Sequence, residues 1–303
     1  MKAVVLYEYG DINQLKFVND QPEPPFGPGE VRVRIRATSI NPIDWKLRSG
    51  AARSRFPLTF PAILGRDLAG EVVNVGGDVT GFQKGMRVMA LAFGTYAEFT
   101  TVRADILAPI PDQLSFEQAA ALPLVLTTGS QLIERAVKVQ PGWTILVTGA
   151  LGGVGRTAVH VARKHGAHVI AGVRASQRDE AQKLGAERVV TIDDDQEIAS
   201  LRDLDAIADT VNGATIAKLL GALKPGGVLG SVLGEPEAAK GKNINVSAIS
   251  TQPDAPRLHE LAEDVARGEF TIPIAKKFPL EEAPQAQDFA ENQHPAGKVL
   301  LIV

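Results

Sequence analysis

The sequence predicts an α/β protein that combines a small β-rich domain with a doubly wound parallel sheet. Three observations support this fold class. Residues 1 to about 120 are rich in short alternating segments and turn residues, which is typical of antiparallel strands. From about residue 121, apolar strand candidates alternate with helical patterns, as in a parallel sheet covered by helices. One more apolar strand closes the chain, and a lone strand needs an existing sheet to join.

Length and composition are those of a globular protein. The 303 residues suggest two domains, and the 45% hydrophobic and 22% charged residues lie near globular averages. The net charge of −3 gives no support for a nucleic-acid or membrane surface. The absence of cysteine excludes disulfides, iron–sulfur clusters, thiolate zinc sites and a cysteine nucleophile. No segment has the pattern of a signal peptide or a membrane span, so we expect a cytoplasmic protein.

The β-rich domain is predicted over residues 1–122. Residues Glu30 to Arg36 alternate strictly between polar and apolar side chains, and residues 70–75 form a second strand candidate. Gly, Pro and Asp separate such segments, which favours a small antiparallel domain. The final strand, Lys298 to Val303, is expected to join its sheet, so that residues 257–303 complete this domain.

The doubly wound domain is predicted over residues 123–256. Helices in it end at Gly166 and Gly185, where glycine fits a C-terminal cap. After about residue 256 the pattern predicts a helix, a turn and a second helix, Leu280 to Glu291. The strand candidates are residues 144–148, 168–173, 188–192, 206–211 and 227–232.

A glycine-rich turn follows the first of these strands. The run from Ile145 to Gly155 reads as a buried strand that turns directly into a helix beginning at Val154. Gly152 lets the backbone approach a pyrophosphate, Gly155 lets helix and strand pack closely, and the helix N-terminus offers free N–H groups. We therefore predict dinucleotide binding. Because Ala150 takes the first glycine position of the fingerprint, a glycine-rich turn of another βα unit is the alternative.

The end of the second strand favours NADPH over NADH. An acidic residue there binds the ribose 2′-hydroxyl in NAD-preferring proteins, and this strand ends without one. Arg174, Ser176 and Arg178 instead offer two guanidinium groups and a hydroxyl, which suit a 2′-phosphate. The alternative is that Ser176 caps the next helix, with Asp179 three residues later, and that Arg178 is merely solvated.

Several motifs together resemble the medium-chain dehydrogenase/reductase superfamily, in its zinc-independent quinone oxidoreductase branch. The resemblance covers essentially the whole chain. It implies a GroES-like substrate domain, a Rossmann domain that holds NADPH, a nicotinamide in the cleft between them, and a homodimer or sometimes a tetramer. The motifs, in chain order, are Asn41 to Asp44, Gly65 to Glu71, Gly94 to Glu98, Ala119 to Pro123, Ala150 to Gly155, Leu184 to Ala186, Leu223 to Gly227 and Gly297 to Val299.

The same resemblance predicts that no metal takes part. Zinc-dependent relatives place a cysteine where Asn41 stands and a histidine where Arg66 stands, and they carry a cysteine-rich zinc lobe that this chain lacks. Without a Lewis acid to lower the pKa of a hydroxyl, alcohol oxidation is disfavoured. The resemblance instead implies hydride transfer to a quinone or an α,β-unsaturated carbonyl.

Candidate catalytic residues lie in the segment from Asn41 to Arg48. Negative charge develops on a carbonyl oxygen during such a reduction, and Asn41, Lys46 or Arg48 can donate hydrogen bonds to it, with Asp44 orienting them. The Asn-Pro-x-Asp-aromatic-Lys pattern is similar to that of enone and alkenal reductases. The alternative is that Asp44 and Arg48 form a structural ion pair.

The resemblance also assigns residues to the cofactor and the pocket. Gly129 stands where relatives often have tyrosine, which predicts a wider pocket, and Asn212 replaces a glycine. Tyr96 and Trp45 line the substrate pocket or, alternatively, pack in the core. A second function stays open, an NADPH-binding protein with little turnover and a structural or sensing role. The predicted cofactor-binding residues are Thr127, Gly152, Gly153, Val154, Arg174, Ser176, Arg178, Val211 and Leu233.

Overall fold

The structure, a computed structural model, describes residues 1–303 and divides the chain into two compact units. The first unit, called the β-rich unit, comprises residues 1–124 and 253–303; the second, called the α/β unit, comprises residues 125–252. The sequence placed these boundaries at 122/123 and 256/257. None of the helices is both long enough and apolar enough to cross a membrane.

Sixteen strands are present, β1 to β16 in chain order. They are Ala3–Leu6, Leu15–Val18, Glu30–Ser39, Ala62–Ile63, Asp67–Val75, Arg87–Leu91, Phe99–Arg103, Ala108–Pro109, Thr144–Thr148, His168–Val173, Arg188–Thr191, Leu204–Asp209, Leu223–Ser231, Asn245–Ala248, Ile274–Pro279 and Lys298–Ile302.

Nine α-helices, α1 to α9, connect them. They are Pro42–Arg48, Phe116–Ala120, Pro123–Gln131, Gly153–Lys164, Arg178–Ala181, Asp195–Ser200, Gly213–Leu219, Ala255–Ala266 and Ala283–Gln293. A π-helix, Leu132–Val137, continues α3. Single 3-10 turns lie at Ile12–Gln14, Ala104–Ile106, Ala175–Gln177, Gln182–Leu184, Leu220–Ala222, Glu237–Ala239 and Leu280–Glu282.

The β-rich unit is built on a seven-stranded sheet of order β15-β16-β3-β5-β6-β8, with β7 also paired to β3. All its pairs are antiparallel except β15 with β16. The alternation predicted in β3 is real, because Val31, Val33 and Ile35 are buried in one core with residues of β5 and β6. The last strand joins this sheet as predicted, with Leu301 opposite Thr38 of β3.

The α/β unit is a six-stranded parallel sheet of order β11-β10-β9-β12-β13-β14. When the strands are numbered from β9 as strand 1, the order is 3-2-1-4-5-6, the arrangement of dinucleotide-binding Rossmann folds. All five strands predicted for this domain are present, so the predicted fold class is confirmed. Apolar residues of the central strands, among them Leu146, Ile207 and Leu229, are fully buried.

Two of the strands that were not predicted, β14 and β15, lie at sheet edges. β15 has the sequence Ile-Ala-Lys-Lys-Phe-Pro, in which consecutive lysines and a proline hide the two-residue period. β14 is short and only half-buried, so it lacks the apolar run of its neighbours. A weakly hydrophobic strand acquires its structure from the sheet that it joins, and its own sequence carries little signal.

Candidate functional site

The α/β unit presents the predicted glycine turn at the end of β9. Gly149 has a φ of +60°, and a Cβ added there would lie 2.5 Å from Oγ1 of Thr210. A Cβ on Gly155 would lie 2.2 Å from the carbonyl oxygen of Gly149, so α4 packs directly on the turn. At Gly152 the nearest atom would be 3.3 Å away. Packing within the chain therefore requires glycine at 149 and 155, whereas position 152 is only mildly crowded, by the carbonyl oxygen of Gly149.

The first turn of α4 exposes free backbone donors. Gly152 occupies the N-cap with an extended backbone, and no side chain caps the helix. The N–H groups of Gly153 and Val154 therefore lie at the positive end of a twelve-residue helix without a side-chain acceptor. This arrangement suits the diphosphate of a dinucleotide.

Thr127 carries a buried hydroxyl without a partner. Its side chain is buried, and its Oγ1 makes no hydrogen bond within the chain. A buried polar group left unpaired costs about 1 to 3 kcal/mol, so such an atom indicates a place where a ligand supplies the partner. This observation fits the prediction that Thr127 binds the cofactor.

The expectation for Gly129 is wrong. The structure packs α3 against α4 at this residue, where an added Cβ would lie 2.5 Å from Cβ of Thr157 and 2.7 Å from the carbonyl oxygen of Val154. A tyrosine does not fit here without a shift of one helix. The missing side chain therefore allows close helix packing and does not widen a pocket.

Asp209 fixes the loop after β12. This buried carboxylate accepts hydrogen bonds from Oγ1 of Thr148 at 2.9 Å and from the backbone N–H groups of Val211 and Asn212, both at 3.1 Å. Asn212 has φ 53° and ψ −161°, a conformation that suits glycine, and its Oδ1 accepts from the N–H of Gly213. Asp209 thus holds a strained turn in place, a role that the sequence did not reveal.

Two apolar side chains stay exposed at the ends of neighbouring strands of this sheet. Val211, after β12, is 40% exposed, and Leu233, after β13, is 41% exposed. The backbone N–H of Leu233 is tied to Oγ of Ser231 at 3.1 Å. Apolar groups held at the carboxyl ends of parallel strands suit a flat ring, and both residues were predicted to bind the cofactor.

The end of β10 holds both the predicted cations and an acid that was not predicted. Arg174 and Ser176 are exposed, whereas Arg178 is bonded to Glu197. The carboxylate of Asp193, just after β11, accepts from the backbone N–H of Ala175 at 3.0 Å. The end of β10 itself lacks an acidic residue, but Asp193, which follows the adjacent strand β11, places a carboxylate beside it. Helix α5 has no side-chain cap, so the capping alternative for Ser176 is wrong.

The β-rich unit contains a group of buried polar side chains at one end of β3, β5 and β16, here called the buried polar cluster. Burial of so many polar atoms is tolerated because nearly all of them bond to one another. The cluster draws its members from segments more than 200 residues apart in sequence. They are Ser39, Asn41, Asp44, Asp67, Tyr96 and Lys298.

Asp67 and Lys298 form the centre of the cluster. One oxygen of Asp67 accepts from Leu124 N at 2.6 Å, and the other accepts from the side chains of Ser39 and Asn41. Nζ of Lys298 lies 3.4 Å from that second oxygen and donates to Oδ1 of Asn41. A buried ion pair is tolerated when further hydrogen bonds satisfy both groups, as they do here.

Asp44 is paired on one side only. Its Oδ2 accepts from the backbone N–H of Asn41 and from the hydroxyl of Tyr96, each at 2.8 Å, while Oδ1 has no partner. Burial raises the pKa of Asp44 to about 6, against the opposing effect of those two hydrogen bonds. Burial likewise raises the pKa of the Tyr96 hydroxyl. Asp44 therefore exchanges a proton near neutral pH.

The structure brings together only part of the predicted catalytic group. Asn41 and Asp44 lie in the cluster, but both polar atoms of the Asn41 amide already bond to Asp67, Lys298 and the backbone, so it is not a free donor. Lys46 is exposed on α1, and its side chain makes no hydrogen bond or ion pair. Its role stays a prediction.

The Asp44–Arg48 ion pair does not form. Arg48 instead donates to Oε1 of Gln287 at 2.8 Å and pairs with Glu291 at 3.0 Å, both on α9. Tyr96 is fully buried in the core, and Trp45 packs at the edge of that core. The core-packing alternative therefore describes Tyr96, whose hydroxyl acts inside the cluster.

Arg66 is a residue of this region whose chemistry the sequence did not reveal. Its side chain is 9% exposed, its Nε donates to the carbonyl oxygen of Ala92 at 2.9 Å, and its guanidinium carbon lies 3.8 Å from the ring centre of Phe93. Burial lowers the pKa of Arg66, while Asp44 and Asp67 act in the opposite direction. A guanidinium has no lone pair for a metal, and Asn41 is fully bonded, so these residues do not fit a catalytic zinc.

Comparisons with known proteins agree with this architecture. Residues 27–112 match the family model for the alcohol dehydrogenase GroES-like domain, and residues 184–301 match the model for zinc-binding dehydrogenases. A chloroplast envelope quinone oxidoreductase homolog from Arabidopsis thaliana is 30% identical, with 92% of each chain covered.

Solved structures extend the likeness to the whole chain. The quinone oxidoreductase from Coxiella burnetii superposes with a TM-score of 0.91 at 30% identity, covering 100% of this chain and 99% of that one. A mycobacterial protein complexed with NADPH gives a TM-score of 0.86 at 28% identity, with both chains fully covered. The chain therefore belongs to the medium-chain dehydrogenase/reductase superfamily of oxidoreductases, within which its relatives include quinone oxidoreductases.

Proposed function

We propose that the protein is an NADPH-dependent reductase of quinones or α,β-unsaturated carbonyl compounds. The observation that carries the proposal is the uncapped N-terminus of α4 behind the glycine turn, in a unit with the strand order of a dinucleotide-binding fold. The names of the relatives, which include quinone oxidoreductases, support the reaction class. A bound nicotinamide would supply a hydride to the acceptor.

The residues of the α/β unit suit each part of such a cofactor. Gly153 and Val154 would hold the diphosphate through backbone N–H groups, and Gly152, whose own N–H donates to the carbonyl oxygen of Gly149, would let it approach closely. The unpaired hydroxyl of Thr127, together with the exposed side chains of Val211 and Leu233, would orient the nicotinamide. A bound group would complete the hydrogen bonding of Thr127, which supports the assignment.

NADPH is proposed over NADH because of the side chains at the end of β10. Arg174 is exposed and free of an ion pair, and Ser176 adds a hydroxyl two residues later. Arg178 would contribute less, since Glu197 already neutralises it. Asp193 opposes a 2′-phosphate, so the preference depends mainly on Arg174.

Reduction would proceed without a metal. Neither Asn41 nor Arg66 can ligate zinc, and the chain has no cysteine to replace them. The sequence pattern around Lys46 favours enones within the acceptor class. The homodimer and the cytoplasmic location implied at the sequence level stay predictions; light scattering of the purified protein measures the first.

The proposal is tested by mixing the protein with NADPH and an acceptor while following absorbance at the nicotinamide band. Suitable acceptors are 1,4-benzoquinone and 2-cyclohexen-1-one, each with an enzyme-free blank. We expect oxidation of NADPH that is faster than that of NADH and unchanged after dialysis against a chelator. NADPH binding without turnover of any acceptor would instead favour the binding-protein alternative.

A further inference from the structure

Arg66 is an almost buried cation that leaves most of its hydrogen-bonding capacity unused. A guanidinium has five N–H donors, and only Nε is bonded within the chain. The Nη1 and Nη2 atoms have no hydrogen-bond partner in the protein. They are not completely buried, so they are accessible from the surface. A buried charge normally saturates its donors to offset desolvation. The two unbonded Nη groups, here called the open fork, give this buried guanidinium the geometry of an anion-binding group.

The surroundings fix the position of this fork. The bond from Nε to Ala92 holds one side of the guanidinium, and the ring of Phe93 covers one face at 3.8 Å. Phe93 is itself 62% exposed, which is unusual for a large aromatic residue. The pair therefore presents an apolar ring and two free N–H edges side by side on the surface of the β-rich unit.

Two carboxylates near Arg66 keep it charged without occupying its donors. Asp67 already accepts from Leu124, Ser39 and Asn41, and Asp44 accepts from Tyr96 and the backbone. Neither carboxylate hydrogen-bonds to the guanidinium, although both favour its protonated form. The positive charge is thus available for a group from outside the chain.

We infer that Arg66 binds the carbonyl oxygen of the acceptor and stabilises the negative charge that develops there, with Phe93 packing against the conjugated system. This inference rests on the proposed reductase function. When a hydride adds to the β-carbon of an enone, the electron pair of the C=C bond moves toward the carbonyl and leaves an enolate oxygen. Nη1 and Nη2 donate hydrogen bonds to that oxygen, and solvent then adds one proton to the α-carbon.

Arg66 suits this role better than Lys46. A donor accelerates the reaction most when it already points at the developing charge and does not have to reorganise. The side chain of Arg66 is held by its hydrogen bond to Ala92 and by the ring of Phe93. The side chain of Lys46 is exposed and makes no hydrogen bond or ion pair. The planar fork can also give two hydrogen bonds to one acceptor group, which an ammonium cannot do with the same geometry.

The inference is tested with the variants Arg66→Ala and Arg66→Lys and with the control Arg55→Ala. Arg55 also stacks on an aromatic ring, that of Phe56, in the same unit, but it is exposed. With 2-cyclohexen-1-one we expect Arg66→Ala to lower kcat/KM about 100-fold or more, Arg66→Lys and Lys46→Met each to lose less than Arg66→Ala, and Arg55→Ala to stay within about threefold of the unsubstituted protein.

Two further measurements separate substrate binding from a structural role. Guanidinium chloride at a concentration far below denaturation should restore part of the activity of Arg66→Ala, and the Kd for NADPH should stay unchanged. No oxidation of NADPH by the unsubstituted protein overturns the proposed function and this inference with it. An active protein whose Arg66 variants lose under threefold, lose activity without rescue, or lose less than Lys46→Met overturns the inference alone.

Discussion

The two units of the chain build their candidate sites in different ways. The α/β unit does so with backbone: the N–H groups at the start of α4, glycines at 149 and 155, and a turn after β12 that one carboxylate holds. The β-rich unit does so with charged side chains, of which Asp67, Lys298 and Arg66 are the principal ones. A backbone site is encoded by one continuous segment, whereas a side-chain site is assembled from segments that only the fold brings together.

The largest expected effect comes from the buried ion pair. Lys298→Met leaves the buried carboxylate of Asp67 without its cation, and we expect the free energy of unfolding to fall by about 3 to 5 kcal/mol. The control is Lys277→Met, which breaks the exposed 2.6 Å pair with Glu117 and should cost about 1 kcal/mol or less. Urea denaturation measures both. Equal losses would mean that the cluster is not an electrostatic unit.

The glycine turn offers a matched pair of variants. Gly155→Ala forces a Cβ against the backbone oxygen of Gly149 and should lower the free energy of unfolding by about 3 kcal/mol. The Cβ of Gly152→Ala would lie 3.3 Å from its nearest atom, so we expect only a small loss of stability but weaker binding of NADPH. Thermal unfolding and cofactor titration separate the two effects. Normal NADPH affinity in Gly152→Ala would argue against a diphosphate at this position.

The raised pKa of Asp44 predicts a pH dependence of stability. The folded state holds this proton up to a pH of about 6, while the unfolded chain releases it near 3.8, so stability falls as the pH rises through this window. The contribution of this one group is about 2 to 3 kcal/mol. Asp44→Asn lacks this pH-dependent contribution. As the pH rises from about 4 to 7, the variant should therefore gain stability relative to the unsubstituted protein. A pH-independent difference between the two proteins would contradict the prediction.

The smallest effect is expected at the cofactor's 2′-phosphate. Arg174→Ala should weaken the binding of NADPH by about 1.5 to 3 kcal/mol and leave the binding of NADH unchanged, because only NADPH carries the 2′-phosphate. Asp193→Asn removes a nearby negative charge and should act in the opposite direction. KM values for both cofactors measure these changes. Equal effects of Arg174→Ala on NADH and NADPH would exclude a 2′-phosphate contact.

The comparison explains what the sequence could predict. The glycine turn, the five predicted strands of the α/β unit and the joining of the last strand to the β-rich sheet all follow from local periodicity and backbone rules, and the structure contains each of them. Asp193 escaped notice because it reaches Ala175 from the next strand, 18 residues away in sequence. No local pattern indicates such a contact.

The errors concern side chains whose partners are distant. Asn41 was predicted to be a free donor, but Asp67 and Lys298 occupy its amide. Asp44 and Arg48 lie four residues apart on a short helix, as an ion pair would, yet each bonds to a different element. Arg66 was seen only as a replaced metal ligand, because its open fork depends on Ala92 and Phe93.

The position of β16 in the chain has a consequence for folding during synthesis. Residues 125–252 leave the ribosome as one continuous stretch and contain every strand of their sheet, so this unit can fold as soon as it emerges. The other sheet must wait, because β16 pairs with β3 only after some 260 further residues have been made. During that interval Asp67 has no Lys298, and the unfinished sheet exposes an edge of β3. The β-rich unit should therefore need chaperones more than the α/β unit does, even though most of its residues are synthesised first.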